Sequence, residues 1–488
     1  MQNLALSAHS VQLSWCTMRG TPQALEEDQA TDASLANVKI RAIQDMHMLL
    51  DRWLAVVFQE GEYELWDLHP CDHDLNNIGL SRDGSWAREN IKPICRLRSD
   101  LQGSCVSSTA CIDPEDNTII IAFSLQTATT VVKVDPKVPS PLSPRVLSRV
   151  LAPDEAAFSM HLIKAIEPHS KLLVFSLGSN LYFVHWPSGG FWHIVLDEDE
   201  EVIYNIIVAA HFLTPRYLVC LQHHTVQLLT LDFLHEVHAL RSSDADSDDD
   251  RASHFWGRKH VSKTQFTIPL ETGNFRGAAF SESVVVQNMD LATVSTTLLA
   301  YDVLRGLYHF SIKATLHSPD AASTSNWASS VYGTQNDSVL DPLDMTVSLL
   351  AAHHMAQLVS RMPGDDVPPR GGYTRGSRGF ISTCALGAQG KRGIWIERQR
   401  NSIGRSVFGF STKDYELDGV DGDGGRSQYA SMDDESAEFW KDGYALRGRC
   451  MYEVRNTYDL RDDMTHCALS EATGMVILGT RRGQLLVC

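Results

Sequence analysis

The sequence predicts an all-β protein: a β-propeller of about seven four-stranded blades, with a short N-terminal helix and long loop insertions. Three observations carry that expectation. Val, Ile, Leu, Phe and Tyr gather in short runs bounded by Gly, Asp, Asn and Ser, which suits strands and turns. The runs come in pairs across tight polar turns, and the pairs recur along the chain. A lone strand pair cannot bury its faces, so a repeated series is what a radial array of small sheets produces.

The first segment reads differently. Leu4, Ala8, Val11 and Trp15 fall on one helical face, and polar, loop-like sequence follows from Thr17 to Asn37. Residues 1–37 are therefore expected to form a helix and linker, and 38–488 one propeller. The strand pairs are then Trp53–Gln59 with Tyr63–Leu68, Ile119–Leu125 with Val131–Val134, and Leu172–Leu177 with Leu181–Trp186. Tyr217–Leu221 with Val226–Leu231, Ser283–Gln287 with Thr297–Val303, Phe380–Leu386 with Gly393–Ile396, and Met475–Gly479 with Gln484–Val487 complete the series. These leave roughly 64 residues per unit, against roughly 40–45 in a lean repeat. The surplus falls in polar insertions at 242–260, 319–337, 362–377 and 413–442, and in Pro136–Pro144. Ala36–Ile43 reads as a lone strand that would pair with the final strand and remove an exposed edge.

The chain has 488 residues, with 42 basic and 60 acidic side chains, and a net charge of −18. Its 43% hydrophobic content excludes a wholly disordered chain. The acidic balance argues against a general nucleic-acid binder, whose phosphate contacts need a basic footprint. The 10 cysteines include no C-x-x-C pair, so they read as reduced core residues rather than a disulfide or zinc framework. Met1–Ser10 lacks a secretory pattern. Val202–Leu213, the most apolar stretch, is interrupted by Asn205 and His211 and is too short to span a bilayer. An intracellular protein, cytoplasmic or nuclear and without a membrane role, is expected.

No catalytic, cofactor or metal motif has its required spacing. Asp414, Glu416, Asp418 and Gly419 match the opening of a calcium loop, but Asp421 occupies its apolar eighth position and Gly425 the twelfth, where a bidentate Glu is needed. His235 and His238 are one residue too close for a zinc-protease helix. His223-His224 and His353-His354 put adjacent rings on opposite strand faces. Gly390-Lys391 lacks the remainder of a phosphate-binding loop, and G-x-S-x-G does not occur. No cofactor is expected.

Charge is distributed unevenly. The run from Ser242 to Asp250 makes Ser243 and Ser247 candidate phosphosites of an acidophilic kinase; a solubilising loop is the plainer reading. Between Arg370 and Arg405, eight basic residues stand against one acid, Glu397. Arg370, Arg375, Arg378, Lys391, Arg392 and Arg398 form a candidate site for an acidic or phosphorylated peptide, with Tyr373 and Trp395 available for stacking. The alternative is that this interval neutralises the neighbouring acidic insertion, Asp414–Glu438.

Glu64-Leu65-Trp66-Asp67-Leu68 resembles the Trp-Asp ending of a WD40 repeat, and it is the only Trp-Asp in the chain. The whole arrangement resembles the C-terminal region of fungal F-box proteins, where a helix ending in Trp leads into a divergent WD40-like propeller. Leu4–Trp15 resembles that helix, Leu50–Leu68 the first blade and His466–Val487 the last. The resemblance implies a non-catalytic protein-interaction scaffold, the substrate-recognition part of an F-box ubiquitin-ligase receptor. The Leu-Pro signature of the F-box does not precede Leu4, so the resemblance carries over to substrate binding rather than to the Skp adaptor. Two other classes are consistent with the residues. One is a β-propeller enzyme acting on a small molecule or sugar, marked by a channel-mouth cluster of carboxylates and His with shifted pKa values. The other is an RNA-associated scaffold using the RGG-like Gly371–Gly379.

Overall fold

The computed structural model describes residues 23–24, 41–68, 93–98, 103–125, 128–138, 144–151, 162–196, 205–234, 237, 258–260, 264–270, 274–287, 291–317, 342–355, 379–399, 404–413, 444–446, 448–454 and 463–488. The expected helix at Leu4–Trp15 lies outside them.

The chain forms seven sheets, each built on four strands that run in chain order from the channel outward except in the last blade, whose outermost strand comes from the start of the chain. The innermost strands are Ile43–Leu49, Cys105–Ile112, Leu162–Glu167, Ile207–Thr214, Gly277–Phe280, Gly379–Leu386 and Met464–Leu469. Each packs against the innermost strand of the next blade, and the last packs against the first. Seven apolar seams fill the spaces between successive sheets. The seam between first and last blades joins Ile43, Val56, Phe58 and Trp66 to Ile477, Leu485 and Val487. The pattern follows from strand sequences such as Ile119–Leu125, buried along its whole length. Apolar side chains on both faces require a neighbouring sheet on each side.

The ring is closed by the start of the chain, as the edge-strand argument requires, but by a different segment from the expected one. Gln23 and Ala24 pair antiparallel with Val487 and Leu486 and form the outermost strand of the last blade. Ile43 instead opens the first blade's innermost strand and pairs with Phe58. The apolar ending of Ala36–Ile43 looked solitary because the strand it opens continues through channel-lining Gln44, Asp45 and His47.

Two of the seven strand pairs are also shifted. In the fifth blade the central hairpin is Leu291–Asp302 with Gly306–His317, whereas Val284–Gln287 is an added strand paired with Ala292–Ser295. In the sixth blade the predicted pair forms the first and second strands rather than the second and third.

Insertions supply extra strands. Arg258–His260, inside the predicted 242–260 insertion, adds parallel to Phe191–Val195 of the third blade. Tyr444–Ala445 adds parallel to Asp344–His354 of the fifth. In each case a connection from one blade covers the outer edge of the blade before it.

Candidate functional site in the central channel

A strand alternates its side chains between faces, so alternate residues of each innermost strand point to the blade on one side or the other, close to the axis: Asp45 and His47 reach Ser108 of the second blade, and Met46 and Met48 pack in the seam with the last. In six of the seven blades that strand carries a bulge near its start: between Ile43 and Asp45, Cys105 and Ser107, Ile163 and Ala165, Ile207 and Ala209, Ile381 and Thr383, and Met464 and His466. A bulge leaves a backbone group outside the ladder. Four of the bulged residues have their carbonyl capped by a side chain from the preceding blade. Gln44 Nε2 donates to Val106 O at 3.1 Å, Lys164 Nζ to Val208 O at 3.0 Å, Tyr301 Oη to Ser382 O at 3.2 Å and His466 Nε2 to Gln44 O at 2.9 Å. The channel is stitched in one rotational sense.

Titratable groups gather in this belt. Asp45 Oδ2 accepts from Ser108 N at 2.7 Å and Ser108 Oγ at 2.9 Å. The serine proton is thereby committed, so His47 Nε2, 2.9 Å from the same Oγ, is its donor. His211 Nε2 meets Ser283 Oγ at 2.9 Å while its ring stacks on Phe280. Burial pushes Asp45 up to about 6, opposed by its Ser108 bonds and by Lys164. Burial lowers Lys164 to about 8, opposed by Asp45. Burial also brings His47 and His211 to about 4, with His466 adding to the effect on His47, and it lowers His466. The belt thus holds one perturbed carboxylate, Asp45, beside a lysine and imidazoles, rather than a channel-mouth cluster of several carboxylates and histidines. Among the described residues, no group of three or more His, Cys, Asp or Glu is placed to hold a metal ion.

One mouth of the channel is bordered by the turns between first and second strands. Leu50 and Asp51 occupy left-handed conformations there, with φ of 47° and 56°. Asp51 accepts from Glu471 N at 2.5 Å and Ala472 N at 3.2 Å. Glu471 in turn accepts from Gln389 N at 2.6 Å and Lys391 N at 2.9 Å, and Glu282 N donates to Ala388 O at 2.8 Å. Carboxylates and carbonyls at this mouth thus clasp the turns of adjacent blades.

The Arg-rich interval does not assemble as one site. Lys391 is exposed at the inner-turn mouth, and Arg392 Nη1 donates to Glu471 O at 3.2 Å. Arg398 lies at the other end of the same strand, roughly 20 Å away at the usual rise per residue, with its guanidinium 5.2 Å from the Phe380 ring centre. Arg405 faces inward: Nε and Nη2 reach Asp463 at 2.7 and 2.8 Å, with both side chains buried. Trp395 is fully buried and stacks on Phe408, so it cannot receive a ligand. Its apolar strand neighbours make it a core residue. Arg370, Arg375, Arg378, Tyr373, Ser243 and Ser247 lie outside the described residues, as do Gly371–Arg378 of the RGG-like stretch and the acidic run Asp414–Glu438. Arg392 does pair with Ser411, where that acidic insertion departs.

Sequence reasoning missed the channel belt because its members are scattered through seven strands. The available signal was a polar residue near the start of an otherwise apolar strand, repeated blade by blade.

The molecule is a seven-bladed β-propeller. No protein-family model matches the chain, and no curated protein matches it. Among solved structures, it is similar to the β-propeller domain of Myceliophteria thermophila Cps50 (Swd1), at 9% identity and a TM-score of 0.43, with 93% of this chain and 99% of that one covered. It is also similar to the WD40 propeller domain of Doa1, at 10% identity and a TM-score of 0.40, covering 92% and 94%. A third is Kuenenia stuttgartiensis hydrazine synthase, at 11% identity and a TM-score of 0.41, covering 93% and 98%. No helix among the described residues is long and apolar enough to cross a membrane.

Proposed function

We propose that this propeller is a non-catalytic protein-interaction platform. The single observation that carries the reading is the arrangement of the channel belt. Asp45, His47, His211, Lys164 and His466 direct their polar atoms to hydroxyls or carbonyls of the neighbouring blades. Such bonds join the ring, and a rigid ring presents loops as a fixed surface. The resemblance to F-box proteins makes a ubiquitination substrate the proposed partner. Lys391 and Arg392 are the described members of the proposed acidic or phosphorylated peptide site. Affinity purification of the full chain tests the platform, followed by the same experiment on Lys391→Glu with Arg392→Glu. Stoichiometric recovery of a defined protein supports it. Recovery of nothing above a control bait removes it, and an unchanged partner set removes the anionic site alone.

The shifted pKa values of Asp45 and Lys164 favour one second reading, a propeller enzyme acting on a small molecule. Turnover of a small-molecule panel that disappears in Asp45→Asn while the fold is retained would establish it. Absence of turnover across the panel would count against it.

A further inference from the structure

The fifth blade projects beyond the ring on the inner-turn side. Its two central strands run for 12 residues each, and Val284–Gln287 pairs with the projecting part of the first of them. Val284, Val285 and Val286 are 54%, 39% and 52% exposed, and exposed Leu291 starts the strand they pair with. Register places Val285 on the face of buried Val294, and Val284 and Val286 on the face of Ser295 and Thr293. Among the described residues no strand pairs with the other side of Val284–Gln287. Edges are ordinarily blunted by a charge, a proline or a covering element, and Val-Val-Val-Gln has no charge or proline. The segment is also held in place: Ser283 Oγ lies 2.9 Å from His211 Nε2 and donates to Phe212 O at 3.4 Å, while Glu282 N is anchored on the sixth blade.

The geometry points to Val284–Gln287 as a docking edge that takes an extended, β-branched peptide flanked by basic residues as an additional strand. This deepens the platform reading and rests on it. Backbone groups along the edge supply the pairing and the valines prefer apolar side chains at alternate positions of the incoming strand. Charge selects the occupant. In sequence the apolar run is bracketed by Glu282 and Asp290, in a protein of net charge −18. A Lys- or Arg-flanked strand complements those carboxylates. A second copy of this chain, paired along the same edge, would bring two strongly acidic molecules together.

The probe is a fluorescent synthetic peptide, Lys-Lys-Val-Thr-Val-Thr-Val-Lys-Lys, titrated against the full chain. The expected result is saturable binding that weakens at least about tenfold, or 1.4 kcal/mol, when the lysines are replaced by glutamates. It should weaken similarly in Val284→Lys with Val286→Lys, which changes only exposed side chains. Of two peptides N-methylated on alternate residues, one should lose binding because only one set of amides faces the edge. Equal binding of the Lys and Glu peptides, full binding of both N-methylated peptides, or no effect of the lysine variant would overturn the inference. Self-association of the unmodified chain, abolished by the lysine variant, would overturn it in favour of a second copy. A variant that loses the peptide but still recovers the partners of the intact chain removes this edge as their site and leaves the platform standing. Loss of all partner recovery by the intact chain removes the platform instead.

Discussion

Asp463 shows how a residue that reads as ordinary surface acid becomes structural. Its carboxylate receives the Arg405 guanidinium through two contacts in a buried position between the sixth and seventh blades, and its carbonyl accepts Arg481 N at 2.9 Å. A buried pair is balanced between attraction and lost hydration, but removal of one partner strands the other. Asp463→Ala is expected to destabilise the protein by about 3–5 kcal/mol, read as a lower urea midpoint. A change below about 1 kcal/mol would mean that solvent reaches the pair. Gly483 offers a test of backbone rather than charge. It sits at φ 87°, where a Cβ would strike the Arg41 carbonyl. Gly483→Ala should cost at least about 1–2 kcal/mol from the left-handed conformation alone, again measured by urea unfolding.

At the scale of elements, strands were legible where apolar residues and turns sit in one short window. Trp53–Phe58 and Glu62–Asp67 across Gly61, with its φ of 75°, form such a window. Apart from Gly379–Leu386 of the sixth blade, the innermost strands were not, because polar Asp45, His47, Lys164 and His466 interrupt the apolar pattern that marks the rest. The Arg-rich interval was legible as charge, yet linear proximity could not reveal that Lys391 and Arg398 sit at opposite ends of one strand, or that Arg405 turns inward. The closing strand was illegible for another reason: Gln23–Ala24 is two residues long and its partners lie at the other end of the chain. Deletion of residues 1–26 would uncover Leu485–Val487 as an apolar edge. The expected outcome is a lower Tm together with concentration-dependent self-association in sedimentation. An unaltered Tm and a monomer at all concentrations would show that this strand contributes nothing.

For the whole molecule, titration of buried histidines in the channel belt and in a blade seam should set the acid limit of stability. His47, His211 and His309 have folded-state pKa values near 4, lowered first by burial, against an ordinary 6.5. Below pH 6.5 the unfolded chain therefore binds protons that the folded chain refuses, and stability falls progressively between about 6.5 and 4. Asp45 acts oppositely. Raised to about 6 from 3.8, it contributes stability below about 3.8 that is lost as pH rises through 6. Three imidazoles outweigh one carboxylate, so the Tm at pH 5 should lie below that at pH 7. His309→Phe, at a site with no solvent exposure, should flatten the dependence. Equal Tm values at the two pH values would show that these sites are better hydrated than their packing implies.

The two-residue seal at Gln23–Ala24 also fixes the order of events during synthesis. Its partners, Leu486 and Val487, are the third- and second-last residues of the 488. At about 5–20 residues per second, a ribosome needs roughly 20–90 seconds after producing the first pair to deliver the second. Throughout that interval the first blade has no seventh blade to cover Ile43, Val56 and Trp66. The nascent chain thus carries an open apolar flank until Ile477 and Leu485–Val487 emerge, which makes this seam the natural point of chaperone dependence.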